Sequence, residues 1–427
     1  MQNANIKMKN DSVKFKNFNI ETSLIFLALL LLPFYFIKLK YGWLSLNLVE
    51  ILIIALFFVW FFVRDTKYKV QNTRYQIPVI FIITGLLLSI FINKNYYVGF
   101  GILKGWFILP ILFAIVYYDN LKKNRKLLSW SLTAIFFSGL LVAIEGIYYW
   151  MSGFLTYDGR LRIFYDSPNQ LAMFLGPVLL VGLLFTQHAT PASPKLQRGE
   201  RNTQHKIIWK LLLIAGLLII SFNLYLTKSY GAWLAIGLTL IAIFWLKYKK
   251  IRSPKYLFIV IIILIIFVSA VGKLENIKTL DDRSSLASRV MIWKSAGLMI
   301  KDNPLFGIGP GNFQNKYLEY QKYFPPYLEW AVPQPHNLFL AFWLESGLLG
   351  LIGFILLLIR FFRDNKKTIG NDRLLGTLCL SAMLYFLIHG LVDTTYWRND
   401  MAILFWVVVA ANLYLAGLSG PLRLGEN

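Results

Sequence analysis

Cysteine, histidine and acidic side chains are all scarce in this chain. Its 427 residues hold one cysteine and four histidines, and 21 acidic residues stand against 44 lysines and arginines. One cysteine excludes a disulfide framework and a cysteine-based metal site. Cys379 falls inside an apolar run and reads as a small buried hydrophobe. There is no phosphate-binding P-loop. GIGPGN, from Gly307 to Asn312, lacks the strand and spacing of a dinucleotide fingerprint and reads as a turn. Asp281 and Asp282 are adjacent in a polar stretch, with no D-x-D pair beside them, so no divalent-metal site is indicated and no cofactor is expected.

Apolar residues are plentiful instead. They make up 57% of the chain, only 15% is charged, and the mean hydropathy is +0.56. Soluble domains are about 45–50% apolar and about 25% charged, so the composition is that of an integral membrane protein. The net charge of +23 lies in short clusters between apolar runs, which orient membrane loops rather than bind nucleic acid.

About 20 apolar residues cross roughly 30 Å of hydrocarbon. Runs of that length start near Ile20, Trp43, Gln76, Val98, Leu127 and Asn169, then near Ile207, Gly231, Tyr256, Asn337, Leu374 and Asp400. The expected fold is therefore all-α, with about twelve transmembrane helices, because backbone groups in lipid must pair within their own segment. Arg64–Arg74, Lys122–Lys126, Lys247–Lys255 and Arg360–Arg373 carry clusters of positive charge that alternation places on one side. The positive-inside rule makes that side cytoplasmic, with both termini there. The N-terminal residues lead into a long span without a small-residue cleavage site, so no cleaved signal peptide is read.

The expected organisation is a cytoplasmic tail over 1–19, spans one to nine over 20–271 and a large extracytoplasmic loop over 272–336. Spans ten to twelve follow over 337–418, and a cytoplasmic tail over 419–427. A polar cytoplasmic loop, 187–206, interrupts the first group and carries no assigned function; His188 and His205 fall in it. Nine aromatic residues between Trp293 and Trp330 mark the large loop as an ordered, helical cap on the membrane.

Only His336 and His389 lie at outer ends of spans. His336 precedes Asn337, and Asn337, Ala341 and Glu345 share one helical face by their spacing of four. A polar stripe in an apolar helix is costly and functional by default. An interfacial cap remains the plainer reading of His336, and a structural partner for a buried cation that of Glu345. In LASRVMIWKSAGLMIKDNP, Arg289 joins Trp293, Ala296 and Ile300 on one wheel stripe, with Ser295 elsewhere. A guanidinium there suits a phosphate at the interface or snorkels to lipid headgroups. Arg160, Arg162, Lys228, Arg398 and, in the outer half of the fourth span, Lys104 are further cations on that face. Taken singly each is an interfacial residue; taken together they make an anion site.

Four segments, RLRIFYDSPNQLA, LTKSYGAWLA, SRVMIWKSAGLMIKDNPLFGIGPGNF and PHNLFLAFWLESGLLG, resemble in their order the O-antigen ligase and O-antigen polymerase superfamily of polysaccharide-assembly membrane proteins. The resemblance covers most of the chain and is strongest from about Arg160 to Glu345. It implies a metal-independent glycosyltransferase of the bacterial cytoplasmic membrane, working on the outer face. The donor would be an undecaprenyl diphosphate-linked glycan, and the acceptor a glycan, glycolipid or glycoprotein. The resemblance carries the diphosphate contact over to Arg289 and the acceptor base or positioning group to His336, and the residues read above, Arg160, Arg162, Lys228, Lys104, Asn337 and Glu345, are the expected substrate-binding set beside them. Where many members read Ser-Arg-Gly, this chain has Ser229-Tyr230-Gly231, so the second arginine is absent and Lys228 is the candidate replacement. Polymerase, ligase and protein O-glycosylating enzymes share this donor chemistry. A lipid-linked glycan transporter is the rival of another class, though no long internal repeat of the kind common in transporters is visible.

Overall fold

The computed structural model describes residues 19–42, 44–63, 74–188, 200–247, 285–325 and 332–418. It is helical almost throughout. The helices are α1 (Ile20–Leu30), α2 (Leu48–Val63), α3 (Gln76–Asn93), α4 (Tyr96–Ile102), α5 (Leu109–Lys123), α6 (Lys126–Met151) and α7 (Pro168–His188). They continue as α8 (Glu200–Leu226), α9 (Tyr230–Lys247), α10 (Ser285–Asp302), α11 (Phe313–Tyr320), α12 (Leu338–Asn371), α13 (Arg373–His389) and α14 (Asn399–Ala416). Five helical stretches among the described residues are long and apolar enough to cross a membrane: 76–93, 96–123, 126–151, 338–371 and 399–416. Shorter apolar helices accompany them at 20–30, 48–63, 168–184, 210–226, 230–246 and 373–389. The chain is thus a multi-pass helical membrane protein. The span expected near Tyr256 lies outside the described residues.

Eleven of the expected starts fall at or near a described helix, and the second shows the largest departure of local structure. The run starting near Trp43 opens instead in a β-hairpin, β1 (Lys38–Tyr41) paired antiparallel with β2 (Leu44–Asn47), and α2 begins after it. Leu-Ser-Leu-Asn alternates, as a strand does, and Gly42 supplies positive φ at the turn.

Two features shape the helix ends that carry the candidate residues. Between α4 and α5 the chain widens into a π-helical turn, Leu103–Ile108, which carries Lys104; such turns are frequent at functional sites. The second is a break in α12 at Gly347, where φ is 70° and ψ −179°. Breaking a helix orphans carbonyls above the break and amides below it. The GIGPGN turn fills that gap. Ile308 and Gly309 donate their N–H groups to Leu344 O at 2.7 and 3.3 Å, and Leu348 N–H donates to Leu305 O at 2.9 Å. A Cβ on Gly307 would lie 2.2 Å from Leu344 O, so glycine is required there for space as well as for its φ of 66°. Helix α3 grips the same turn from the other side. Ser89 Oγ donates to Phe306 O at 2.6 Å and Asn93 Nδ2 to Gly307 O at 3.3 Å, and Asn95, just ahead of α4, donates to Pro310 O at 2.9 Å. Helices α3 and α12 lie close because Gly85, Gly350 and Gly353 each face the partner backbone.

Candidate functional site

The site is organised by the turn between α13 and α14, residues 390–398, on which α10 and the start of α12 converge. Leu338 N–H donates to Gly390 O at 2.6 Å, and Asn337 Nδ2 to Leu391 O at 2.9 Å. Arg289 Nε donates to Val392 O at 2.7 Å. His336 Nδ1 lies 3.1 Å from Asp393 Oδ1, and Gln334 Nε2 donates to Trp397 O at 3.1 Å. Trp293 Nε1 donates to His336 O at 3.3 Å. Arg289, Trp293 and His336 therefore meet at one turn, although 47 residues separate the first from the last.

His336 has left-handed backbone, φ 46°, between Pro335 and the helix-capping Asn337. A non-glycine residue held there costs about 1–3 kcal/mol and persists when its surroundings fix it. Here the surroundings are the Asn337 cap, which accepts from Phe339 and Leu340 N–H at 3.0 Å each, and the Asp393 contact. Asp393 is 2% exposed. Burial pushes its carboxyl up, but His336 beside it, with further help from His389 and Arg289, pulls it well below the usual carboxylate range. The carboxylate is thus ionised and accepts from His336 Nδ1–H, leaving Nε2 as the exchangeable nitrogen.

Arg289 lies on α10, whose buried face runs through Ser288, Met291, Ile292, Ser295, Ala296 and Met299. Ser295, which the helical wheel sets apart from the apolar stripe, is buried in it. Arg289 and Trp293 instead flank that face, half-buried, where they reach the 390–398 turn.

The remaining cations separate into two groups. Lys228 belongs to the turn into α9, also left-handed at φ 49°. That turn rests on the 390–398 turn, since a Cβ on Gly231 would lie 2.9 Å from Val392 Cγ2. Arg160 is joined to it, donating Nε to Thr227 O at 2.8 Å and Nη2 to Asn169 Oδ1 at 2.9 Å. Arg162, two residues on, is exposed. Arg160 and Lys228 therefore share one turn, and that turn abuts the one holding Arg289 and His336.

Lys104 and Arg398 are engaged elsewhere. Lys104 Nζ sits 2.8 Å from Glu50 Oε2 and donates to Ser45 O at 2.6 Å; Asn399 Nδ2 also donates to Glu50 Oε1 at 3.1 Å. Arg398 is buried, donates Nε and Nη2 to Asp400 at 2.6 and 2.8 Å and Nη1 to Gln170 O at 3.1 Å, and lies over the Tyr165 ring. That guanidinium braces the start of α14. Glu345 is buried beside the plugged break, accepts from Gly311 N–H at 3.3 Å, and has no cation partner among the described residues. Among those residues no cluster of metal-ligating side chains occurs.

Sequence reasoning left out Asp393, and named His389 without a role. The signal was present in HGLVDTTYWRND, a polar run between two apolar helices, and Asp393 follows His389 by four residues.

A multi-pass membrane protein with this arrangement at one set of helix ends defines the class. Within it, residues 215–355 match the family model described as O-antigen ligase. This stretch is similar to that family and contains Lys228, Arg289, His336, Asn337 and Glu345, whereas Lys104, Arg160, Arg162 and Asp393 lie outside it. No curated protein matches the chain.

Proposed function

We propose that this protein is a membrane glycosyltransferase of the O-antigen ligase type, moving a glycan from undecaprenyl diphosphate to an acceptor on the outer face of the bacterial cytoplasmic membrane. The observation that carries the reading is the His336–Asp393 pair on the turn that also anchors Arg289. An acceptor hydroxyl oxygen attacks the anomeric carbon, the bond from that carbon to the diphosphate oxygen breaks, and the hydroxyl proton passes to His336 Nε2. Asp393 holds the ring by Nδ1–H and stabilises the imidazolium that forms. Arg289 balances charge growing on the leaving diphosphate, aided by Lys228 and by Arg160 and Arg162 from the neighbouring turn. Near lipid a fixed cation is worth more than in water. The chemistry asks for no metal. About twelve spans, with the cap outside and both termini inside, complete the proposal, and membrane lipids surround it.

Reconstituted protein supplied with lipid-linked glycan tests it. Single His336→Ala and Arg289→Ala variants each lose at least a hundredfold in transfer, because each removes a group acting on the transition state. Retention of full transfer by both overturns the mechanism. Deletion of the gene separates the acceptors: single units left on the carrier indicate a polymerase, full-length polymer a ligase, and unmodified protein a protein O-glycosylating enzyme. Movement of labelled lipid-linked glycan across the bilayer without transfer would indicate a flippase.

A further inference from the structure

His389 stands at the end of α13, 1% exposed, and takes no part in the mechanism above. Its ring is held by a directional chain. Tyr385 Oη donates to Ala172 O at 2.8 Å, and that carbonyl can only accept. The Tyr385 hydroxyl has one hydrogen, so toward His389 Nδ1, 3.0 Å away, it presents a lone pair. His389 is thereby fixed as the Nδ1–H tautomer. The fold makes room for this chain, since a Cβ on Gly176 would lie 2.2 Å from the Tyr385 ring.

An Nδ1–H imidazole carries its lone pair on Nε2. The Cδ2–Nε2 edge of His389 faces the turn into α9, at 3.4 and 3.5 Å from a Cβ placed on Gly231. Among the described residues Nε2 has no donor. A second acceptor nearby is in the same condition. Asp393 spends Oδ1 on His336 and on Thr394 N–H, while its Oδ2 is buried without a hydrogen-bond partner. A buried carboxylate oxygen without a donor is costly and calls for a missing hydrogen. Val392 N–H donates to His389 O at 3.0 Å, which folds the residue next to Asp393 back onto His389, so the two acceptors belong to one turn. The nearby cations suit phosphate; these two acceptors suit hydroxyl groups.

We infer that His389 Nε2 and Asp393 Oδ2 form a hydroxyl-binding pair that receives the sugar next to the diphosphate. This deepens the glycan-transfer reading and rests on it. It assigns His389 to binding rather than to proton transfer, because a neutral ring fixed in this tautomer accepts a hydrogen bond without needing to change its protonation.

The test compares two isosteres in full-length protein held in lipid nanodiscs. In asparagine at position 389 the amide nitrogen stands where Nδ1 was, so His389→Asn keeps the donor to Tyr385 and loses the Nε2 acceptor. In glutamine the side-chain oxygen reaches the Nε2 position, so His389→Gln keeps the acceptor. The probes are undecaprenyl diphosphate alone and undecaprenyl diphosphate bearing N-acetylglucosamine, with binding measured by competition. All three proteins are expected to bind the bare diphosphate alike. His389→Asn loses about tenfold for the sugar-bearing probe, the size of one hydrogen bond, and His389→Gln stays within about threefold of the unsubstituted protein. Equal weakening toward both probes, an undiminished Asn variant, or a Gln variant as weak as Asn overturns the inference. Failure of the unsubstituted protein to bind either probe overturns the donor reading itself, a different result.

Discussion

Asp393 shows how one side chain sets the character of its neighbours. Its carboxyl is held below the usual range, so the sign of its pH dependence is fixed. A depressed carboxyl stabilises the folded state above its ordinary value of 3.8, and that contribution fades only as pH falls through the lower folded value. The difference in melting temperature between the unsubstituted protein and Asp393→Asn should be flat from pH 5 to 7 and shrink below about pH 4. A difference that instead grows on acidification would mean that the carboxyl is protonated in the folded protein. Arg289 and His336 were legible in the sequence because a charged or titratable group at the edge of an apolar segment is conspicuous. Asp393 was not, because its importance arises from a contact across 57 residues that no local period reveals. Lys104 was equally conspicuous, yet Glu50, 54 positions earlier, partners it.

At the level of elements, hydropathy located the apolar helices well, since bilayer thickness imposes length on each segment independently of its neighbours. It could not see the hairpin before α2, whose second strand sits inside a run apolar enough to pass for helix. Nor could it see the break in α12. Gly347 is one glycine among several in ESGLLGLIG, and the cause of its conformation lies in residues 305–309, which supply the replacement hydrogen bonds. Gly347→Ala should therefore cost about 1–3 kcal/mol from the backbone alone, because φ 70° with ψ −179° is a conformation essentially reserved to glycine, with more from the clash at Leu305 O, 2.4 Å from the added carbon. Thermal unfolding in detergent would register this as a lower midpoint. Gly370→Ala, at a position with open space, is the control and should match the parent. Equal midpoints for the two variants would show that the plugged break adds nothing to stability.

For the molecule as a whole, orientation is the assumption with the widest reach. Past its break at Gly347, helix α12 runs unbroken over 348–371, and those 24 residues at 1.5 Å each span about 36 Å, more than the roughly 30 Å of hydrocarbon. Its ends must then emerge on opposite faces if it crosses. Cys379 is buried, so exposed reporters can be read against it. Lys322→Cys on the cap and Lys366→Cys near the far end of α12 are both exposed positions. A membrane-impermeant maleimide added to intact spheroplasts should label the first and spare the second. Labelling of the second alone would place the His336 turn on the cytosolic side, where soluble nucleotide sugars make a lipid-linked donor unnecessary, and labelling of both would mean that α12 does not cross.

The hydrogen bonds of residues 305–309 to Leu344 and Leu348 run between peptide groups, and Glu345 adds one side-chain contact, to Gly311 N–H. Such a joint is indifferent to most sequence changes around it, provided the glycines remain. The cap is in this sense a detachable fitting on a fixed socket. Exchanging Leu305 or Leu348 for another aliphatic residue should leave the fitting seated, because the bond between them runs from amide to carbonyl.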